Sequence, residues 1–294
     1  MSSMSGFNTE RVQITQEVST RVLDTGGDGP PLVLIHGLAA SIEIWRHVID
    51  PLSENFRVVA FDLPGFGYSD KPDADYKAVT FFIPILKAFL DAVELPRAHF
   101  VGSSMGASLI IRFAARHPQM VDRAVMANPG GFGRYIHPFL RVPTLPLIGG
   151  VMSRPQRVLN AFGVRLAVAS KEKRTKALID EADMLSKLPG AHRAFVRTLR
   201  GLATPFYLKD LDEFEEEARQ FRSPALVVWG KEDRIFPVKQ AQKVAKYMPG
   251  ADAIRMERVG HYPQIDAPEE FVALIESHLM SDAAMASTSG DKVE

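Results

Sequence analysis

The chain contains no cysteine in its 294 residues. That absence removes disulfides, thiol nucleophiles and thiolate metal sites together, and it suits a reducing compartment. Neither sign of charge is in excess, since 35 lysines and arginines stand against 35 aspartates and glutamates. No global field favours nucleic acid or an anionic membrane, so neither a nucleic-acid partner nor stable membrane association is expected. No uninterrupted apolar run reaches the length of a membrane span. The polar stretch from Met1 to Thr9 lacks the apolar centre of a signal peptide, and the expected location is the cytoplasm. No internal repeat is found. The length allows a sizeable buried core, either one large domain or a core with an inserted unit.

The first half of the chain alternates between strand-like and helical periods. Two short extended runs, Val12 with Ile14 and then Val18 to Val22, break near Glu17. Pro31-Leu32-Val33-Leu34-Ile35 is a continuous apolar run of the kind buried on both faces, and it ends at His36-Gly37. Ser41 is placed to cap a helix whose Ile42, Trp45, Val48 and Ile49 share a face. A strand over 56–61 runs into the turn-rich stretch 62–70, and a helix is expected over 80–93. Val121 to Ala127 reads as another strand, stopping at Asn128-Pro129-Gly130-Gly131.

From about Tyr135 to Arg222 no strand-like run occurs. Prolines 138, 143 and 146 punctuate an apolar stretch, and helices are expected over 156–170, 171–187, 191–202 and 208–220. The strand–helix rhythm returns with strands over 225–229 and 253–259 and helices over 240–247 and 269–280. Such a pattern predicts an α/β fold: a mainly parallel open sheet flanked by helices, with an all-helical insert. The core is expected to be split between 1–134 and 223–294, around a cap over 135–222. The small, polar tail over 281–294 is expected to be disordered.

Gly102-Ser103-Ser104-Met105-Gly106 lies at a strand-to-helix junction, after His99-Phe100-Val101 and before Leu109, Ile110 and Phe113 at helical spacing. G-x-S-x-G in that setting is the nucleophile elbow: the chain turns so sharply that the serine is strained and its flanks must be small. A serine hydroxyl is a poor nucleophile without a base. Functional residues of an open α/β sheet gather at the carboxyl ends of its strands. There, the strand ending at Trp229 leads into Gly230-Lys231-Glu232-Asp233, and the strand ending at Val259 into Gly260-His261-Tyr262. The resulting order is Ser104, Asp233, His261.

With these landmarks the chain resembles the α/β-hydrolase superfamily, in the capped branch of bacterial esterases, epoxide hydrolases, haloalkane dehalogenases and carbon–carbon bond hydrolases of aromatic degradation. The shared marks are His36-Gly37, the stretch 62–70, the elbow, Gly230…Asp233…Pro237 and Gly260-His261. They span about residues 31–270; the cap carries no assignable motif. The resemblance implies Ser104 as nucleophile, His261 as base and Asp233, rather than Glu232, as the residue orienting the imidazole. It also places the oxyanion donors at the backbone N–H groups of Leu38 and Met105. No cofactor and no metal is implied. His36 reads as a brace for the oxyanion loop. Trp45, Phe236, Tyr262, Leu145 and Leu147 are candidate substrate contacts, although core packing explains the aromatic ones equally well.

Dehalogenases and epoxide hydrolases of this branch use an elbow aspartate, whose alkyl ester water can cleave. An ether on Ser104 would have no such exit, so acyl chemistry is left. The first expectation is therefore a cofactor-independent serine hydrolase acting on a small, apolar carboxylic ester or a related acyl compound through an acyl-enzyme. Hydrolytic carbon–carbon cleavage of a vinylogous diketone comes second, because His36-Gly37-Leu38-Ala39-Ala40 is poorer in glycine than the oxyanion loops of those relatives. A non-catalytic receptor or scaffold on the same fold is third. Substrate identity and oligomeric state are not legible in the sequence.

Overall fold

In the computed structural model, which describes residues 6–281, eight strands form a single sheet. They are β1 (Glu10–Gln13), β2 (Ser19–Asp24), β3 (Pro31–Ile35), β4 (Arg57–Phe61), β5 (Ala98–Ser103), β6 (Val121–Ala127), β7 (Ala225–Gly230) and β8 (Ala251–Met256). Their spatial order is β1-β2-β4-β3-β5-β6-β7-β8. β2 pairs antiparallel with both β1 and β4, and every later pairing is parallel.

The continuous apolar runs take the central places because both faces of the sheet are covered. Leu32 to Ile35 are fully buried and alternate between the two faces. Val33 and Ile35 pack with Phe61, Phe100 and the helices Ile83–Ala92 and Met105–Arg116. Leu32 and Leu34 pack with Trp45, Val101 and the helix Pro268–Leu279 on the other side. Burying one such aliphatic or aromatic side chain stabilises the fold by roughly 1.5–3 kcal/mol before entropy is counted. β8 is different: its side chains from Asp252 to Arg255 are exposed, as suits an edge strand protected by charge.

The order in which strands are added reverses at β3. The chain passes from β3 outward to β4 and then returns to β5 on the opposite side of β3. A crevice opens at such a point beyond the carboxyl ends of the strands. Between β6 and β7 the described residues contain no strand, only an isolated bridge between Ala203 and Leu208. Four helices of more than two turns fill this stretch: Arg157–Ala167, Lys176–Ser186, Ala191–Leu202 and Leu211–Arg219. The proline-broken part yields only short turns, Pro138–Arg141, Val142–Thr144 and Gly149–Met152.

Two local expectations are corrected. Ser41 makes no capping bond; its hydroxyl donates to Glu43 at 2.6 Å, and the segment winds as the short 3₁₀ turn Ile42–Trp45. Glu43 is in turn gripped by Arg21 at 2.7 Å, and that buried charge pair draws the hydroxyl away from the helix terminus. β8 begins and ends earlier than its apolar pattern indicates, so four residues separate it from His261. The expectation of a disordered tail falls outside the described residues, except for Ser281, whose hydroxyl bonds to the His278 carbonyl at 3.1 Å. Among the described residues no helix is long and apolar enough to cross a membrane.

Candidate active site

β5 delivers Ser104 to the crevice. The serine has φ 56° and ψ −116°, a strained conformation for a residue with a side chain. Its N–H is held by the Ala127 carbonyl of the neighbouring β6 at 2.8 Å. The flanking glycines are sterically required: a Cβ on Gly102 would lie 2.6 Å from the Ala107 nitrogen, and one on Gly106 would strike the carbonyl of Ile35. β3 runs beside β5 with Ile35 opposite Gly102, so the loop after β3 emerges next to the elbow.

His36 fastens that loop. Its Nδ1–H donates to the Gly37 carbonyl at 2.7 Å, and its Nε2 accepts from the Leu63 N–H at 2.9 Å. The second bond requires the neutral ring, with its proton on Nδ1. Burial holds its pKa down at about 4, against a smaller opposing effect of the Gly37 carbonyl. His36 therefore joins the loop after β3 to the loop after β4, as its role of brace requires. In the second of these loops Asp62 accepts from the N–H groups of Ile42 and Tyr68, both at 2.7 Å. Burial raises its pKa to about 6, with Arg21 pulling it back down.

The acid and the histidine come from the last two strands. The Nδ1 of His261 lies 2.8 Å from Oδ2 of Asp233, and both groups are buried. The other carboxylate oxygen of Asp233 accepts from the N–H groups of Ile235 at 2.7 Å and Phe236 at 3.0 Å. With an acceptor at Nδ1, the histidine carries its proton there and leaves Nε2 as a base. Glu232 points its side chain to solvent. Ser104 and His261 line the same cavity of about 450 Å³, with Leu38 and Met105 in its wall.

A family model described as the alpha/beta hydrolase fold matches residues 30–268. The chain belongs to the α/β-hydrolase family. A Mycobacterium tuberculosis protein named only as uncharacterized is 31% identical over 267 residues, covering 87% of this chain and 77% of the relative. The 2-hydroxy-6-oxo-2,4-heptadienoate hydrolase of Pseudomonas putida is 26% identical over 287 residues, covering 95% and 100%. A crystal structure of a lipase candidate from Acinetobacter baumannii superposes with a TM-score of 0.81 at 24% identity, covering 94% and 92% of the two chains, and attests the fold.

In this α/β-hydrolase the pocket expectations divide. Phe236 and Tyr262 line the cavity, and their rings flank that of His261 at centroid distances of 5.5 and 5.3 Å. Burial, and then the charge of Asp233, push the Tyr262 hydroxyl up to about 12. Trp45 does not line the cavity. It is wholly buried on the far side of the sheet with Ile49 and Leu52. Leu145 and Leu147 are also corrected: neither lines the cavity, and Leu147 is 95% exposed. The proline-bounded turns direct Phe139, Leu140 and Met152 to the cavity instead.

Three positioning groups have little sequence signal. Asn128 stands at the end of β6 with φ 47°, a conformation asparagine tolerates. Its amide donates to the carbonyls of His261 at 2.8 Å and Gly260 at 3.3 Å, and its Oδ1 accepts from the Gly230 N–H at 2.8 Å. Asp266 accepts from the N–H groups of Gly260, Ala169 and Ser170 at 2.8–2.9 Å, tying the histidine loop to the helical segment. Glu181 enters the cavity wall from the helix Lys176–Ser186 and meets Arg46 of the core at 2.5 and 2.7 Å. Only the N-P-G-G turn hinted at a special backbone at Asn128; the other two bonds cross more than 95 residues of sequence.

Proposed function

We propose that this α/β-hydrolase is a serine hydrolase that cleaves an uncharged, largely apolar carboxylic ester. One observation carries the reading: a strained elbow serine shares a cavity with a histidine whose Nδ1 is bonded to a buried, doubly anchored aspartate. Ser104 attacks the acyl carbon while His261 Nε2 takes its proton. The oxyanion falls to the N–H groups of Met105 and Leu38, and such donors are worth about 3–4 kcal/mol each. Asp233 stabilises the imidazolium, which then protonates the departing alcohol. Water, deprotonated by the same imidazole, releases the acid and restores Ser104. Residues 135–222 serve as the cap that shapes the acyl pocket.

The charge of the wall supports a neutral substrate. Arg46 is taken up by Glu181, and Arg112 by Glu217 at 2.8 Å. Among the described residues the remaining cavity cations, Arg154 and Lys209, are exposed. A substrate carboxylate drawn deep into this cavity would meet no unpaired buried cation, and it would face Glu181.

A second reading, carbon–carbon bond hydrolysis, has its own support, since the Pseudomonas putida relative is named as the hydrolase of a 2-hydroxy-6-oxo-dienoate. Rates on p-nitrophenyl esters of increasing acyl length, measured beside a 2-hydroxy-6-oxo-dienoate, distinguish the two. The ester reading expects kcat/KM to be higher by at least about tenfold on the best ester; turnover of the dienoate alone would overturn it. Failure of Ser104 to react with a fluorophosphonate would point instead to a non-catalytic receptor.

A further inference from the structure

The balanced total charge conceals an uneven distribution. Between residues 135 and 209 there are thirteen lysines and arginines but only four acidic residues. Exposed apolar side chains concentrate in the same stretch. Of eleven large hydrophobic residues exposed among the described residues, nine lie between Tyr135 and Tyr207. Leu147 is 95% exposed, Phe206 76%, and Ile148, Val151 and Met152 are each more than half exposed. Scattered exposed leucines need no explanation, but a cluster does.

These residues share one region of the surface. Arg141 donates to the Phe206 carbonyl at 2.8 Å, joining the turn segment to the 206–207 corner. Arg200 donates to the Pro143 carbonyl at 3.2 Å. Ile148 N–H bonds back to the Pro146 carbonyl at 2.7 Å across Leu147, whose φ is +60°. A three-residue turn with positive φ is rare and strained, and here it holds a leucine out in solvent. Met152 is both exposed and part of the cavity wall, so the apolar surface runs into the mouth of the active-site cavity. Cations border it. Among the described residues Arg134, Arg141, Arg154, Arg200 and Lys209 have no carboxylate within ion-pairing distance, unlike Arg157, which Asp180 neutralises. Arg154 also borders a shallow basic recess that contains Lys187 and Arg193.

We infer that this face docks on a lipid bilayer surface carrying anionic headgroups. Leu147, Ile148, Val151 and Phe206 enter the boundary between headgroups and acyl chains while the unpaired arginines meet lipid phosphates. Docked in this way, the cavity mouth at Met152 faces the phase into which apolar esters partition. The balanced global charge, from which no membrane association is expected, says nothing about local clustering. A second copy of the chain fits less well, since a two-fold contact would set the same unpaired cations against each other. The docking itself does not depend on the ester reading.

Flotation of the full chain with vesicles tests it. Phosphatidylcholine vesicles containing about 30% phosphatidylglycerol should carry the protein to the top of a gradient at low salt, and pure phosphatidylcholine vesicles much less. Leu147→Asp with Ile148→Asp should reduce vesicle partition by at least roughly tenfold. Arg141→Glu should reduce it by roughly fivefold or more, and salt should weaken wild-type binding. Each variant should keep the wild-type circular dichroism spectrum and its rate on soluble p-nitrophenyl acetate. Absence of binding to anionic vesicles, or binding unaffected by these substitutions, overturns the proposal. So does a concentration-dependent dimer in sedimentation velocity that Leu147→Asp abolishes, with no vesicle uptake, because the face would then belong to a second copy.

Discussion

The side-chain amide of Asn128 donates to the main-chain carbonyl of His261 at 2.8 Å, across 133 residues of sequence. With its Oδ1 on the Gly230 N–H, one buried asparagine bridges the loops that carry Asp233 and His261. Asn128→Asp sets an acceptor against two carbonyl oxygens. It should cost about 1–3 kcal/mol of stability. A positioning role adds a lower kcat with little change in KM, which differential scanning calorimetry and steady-state kinetics would separate. An Asn128→Asp enzyme with wild-type kcat would confine the residue to stability.

Asp233, not Glu232, should orient the base. Its carboxylate is buried and triply engaged, whereas Glu232 is solvated. Ser104→Ala and His261→Ala should each lower kcat by roughly 10⁴–10⁶-fold, and Asp233→Asn by up to about 10⁴-fold. Glu232→Gln should stay near wild type. The reverse ranking of the two acids in kcat measurements would refute the assignment.

His36 should make the fold acid-sensitive. Its pKa falls from 6.5 to about 4 on folding, so the unfolded chain binds more protons between those values. The stability it contributes is present above about pH 6.5 and is lost as pH falls toward 4, by at most roughly 3 kcal/mol. Asp62, raised from 3.8 to about 6, works in the opposite direction over much of the same window. The test is therefore the difference between wild type and His36→Gln in urea unfolding at pH 7 and pH 5. That difference should shrink at pH 5; a constant difference would show that His36 does not titrate with unfolding.

Glu181→Gln should leave Arg46 with an unbalanced charge behind the cavity wall, next to position 181. Relative to a neutral ester, hydrolysis of a monoester of a dicarboxylic acid should then rise by about tenfold, the order expected of one charge-assisted hydrogen bond. Equal effects on charged and neutral esters would mean that the pair does not influence substrate charge.

Acyl-length preference should respond to Phe139 and Phe195, which line the cavity, and not to Leu147, which does not. Phe195→Ala should move the optimum of the p-nitrophenyl ester series toward longer chains at matched thermal stability. Leu147→Ala should leave the soluble-ester profile unchanged.

Much of the scaffold is legible in the residues alone, because the forces behind it are local. Apolar runs, helical spacing and the two glycines around Ser104 each report a steric or burial demand met within a few positions. The chain order of Ser104, Asp233 and His261 was readable too, since strand ends mark where functional groups gather. Tertiary structure decided the rest. Periodicity records that Trp45 is buried but not on which of two covered faces, and only the sheet order places it away from the cavity. Leu147 has the composition of a pocket residue, yet the turn held between Pro146 and Ile148 points it to solvent. The bonds of Asn128 to His261 and of Arg46 to Glu181 cross more than 130 residues and leave no periodic trace. Such contacts arise where independent strands and helices converge, and that convergence is set by packing of the whole chain.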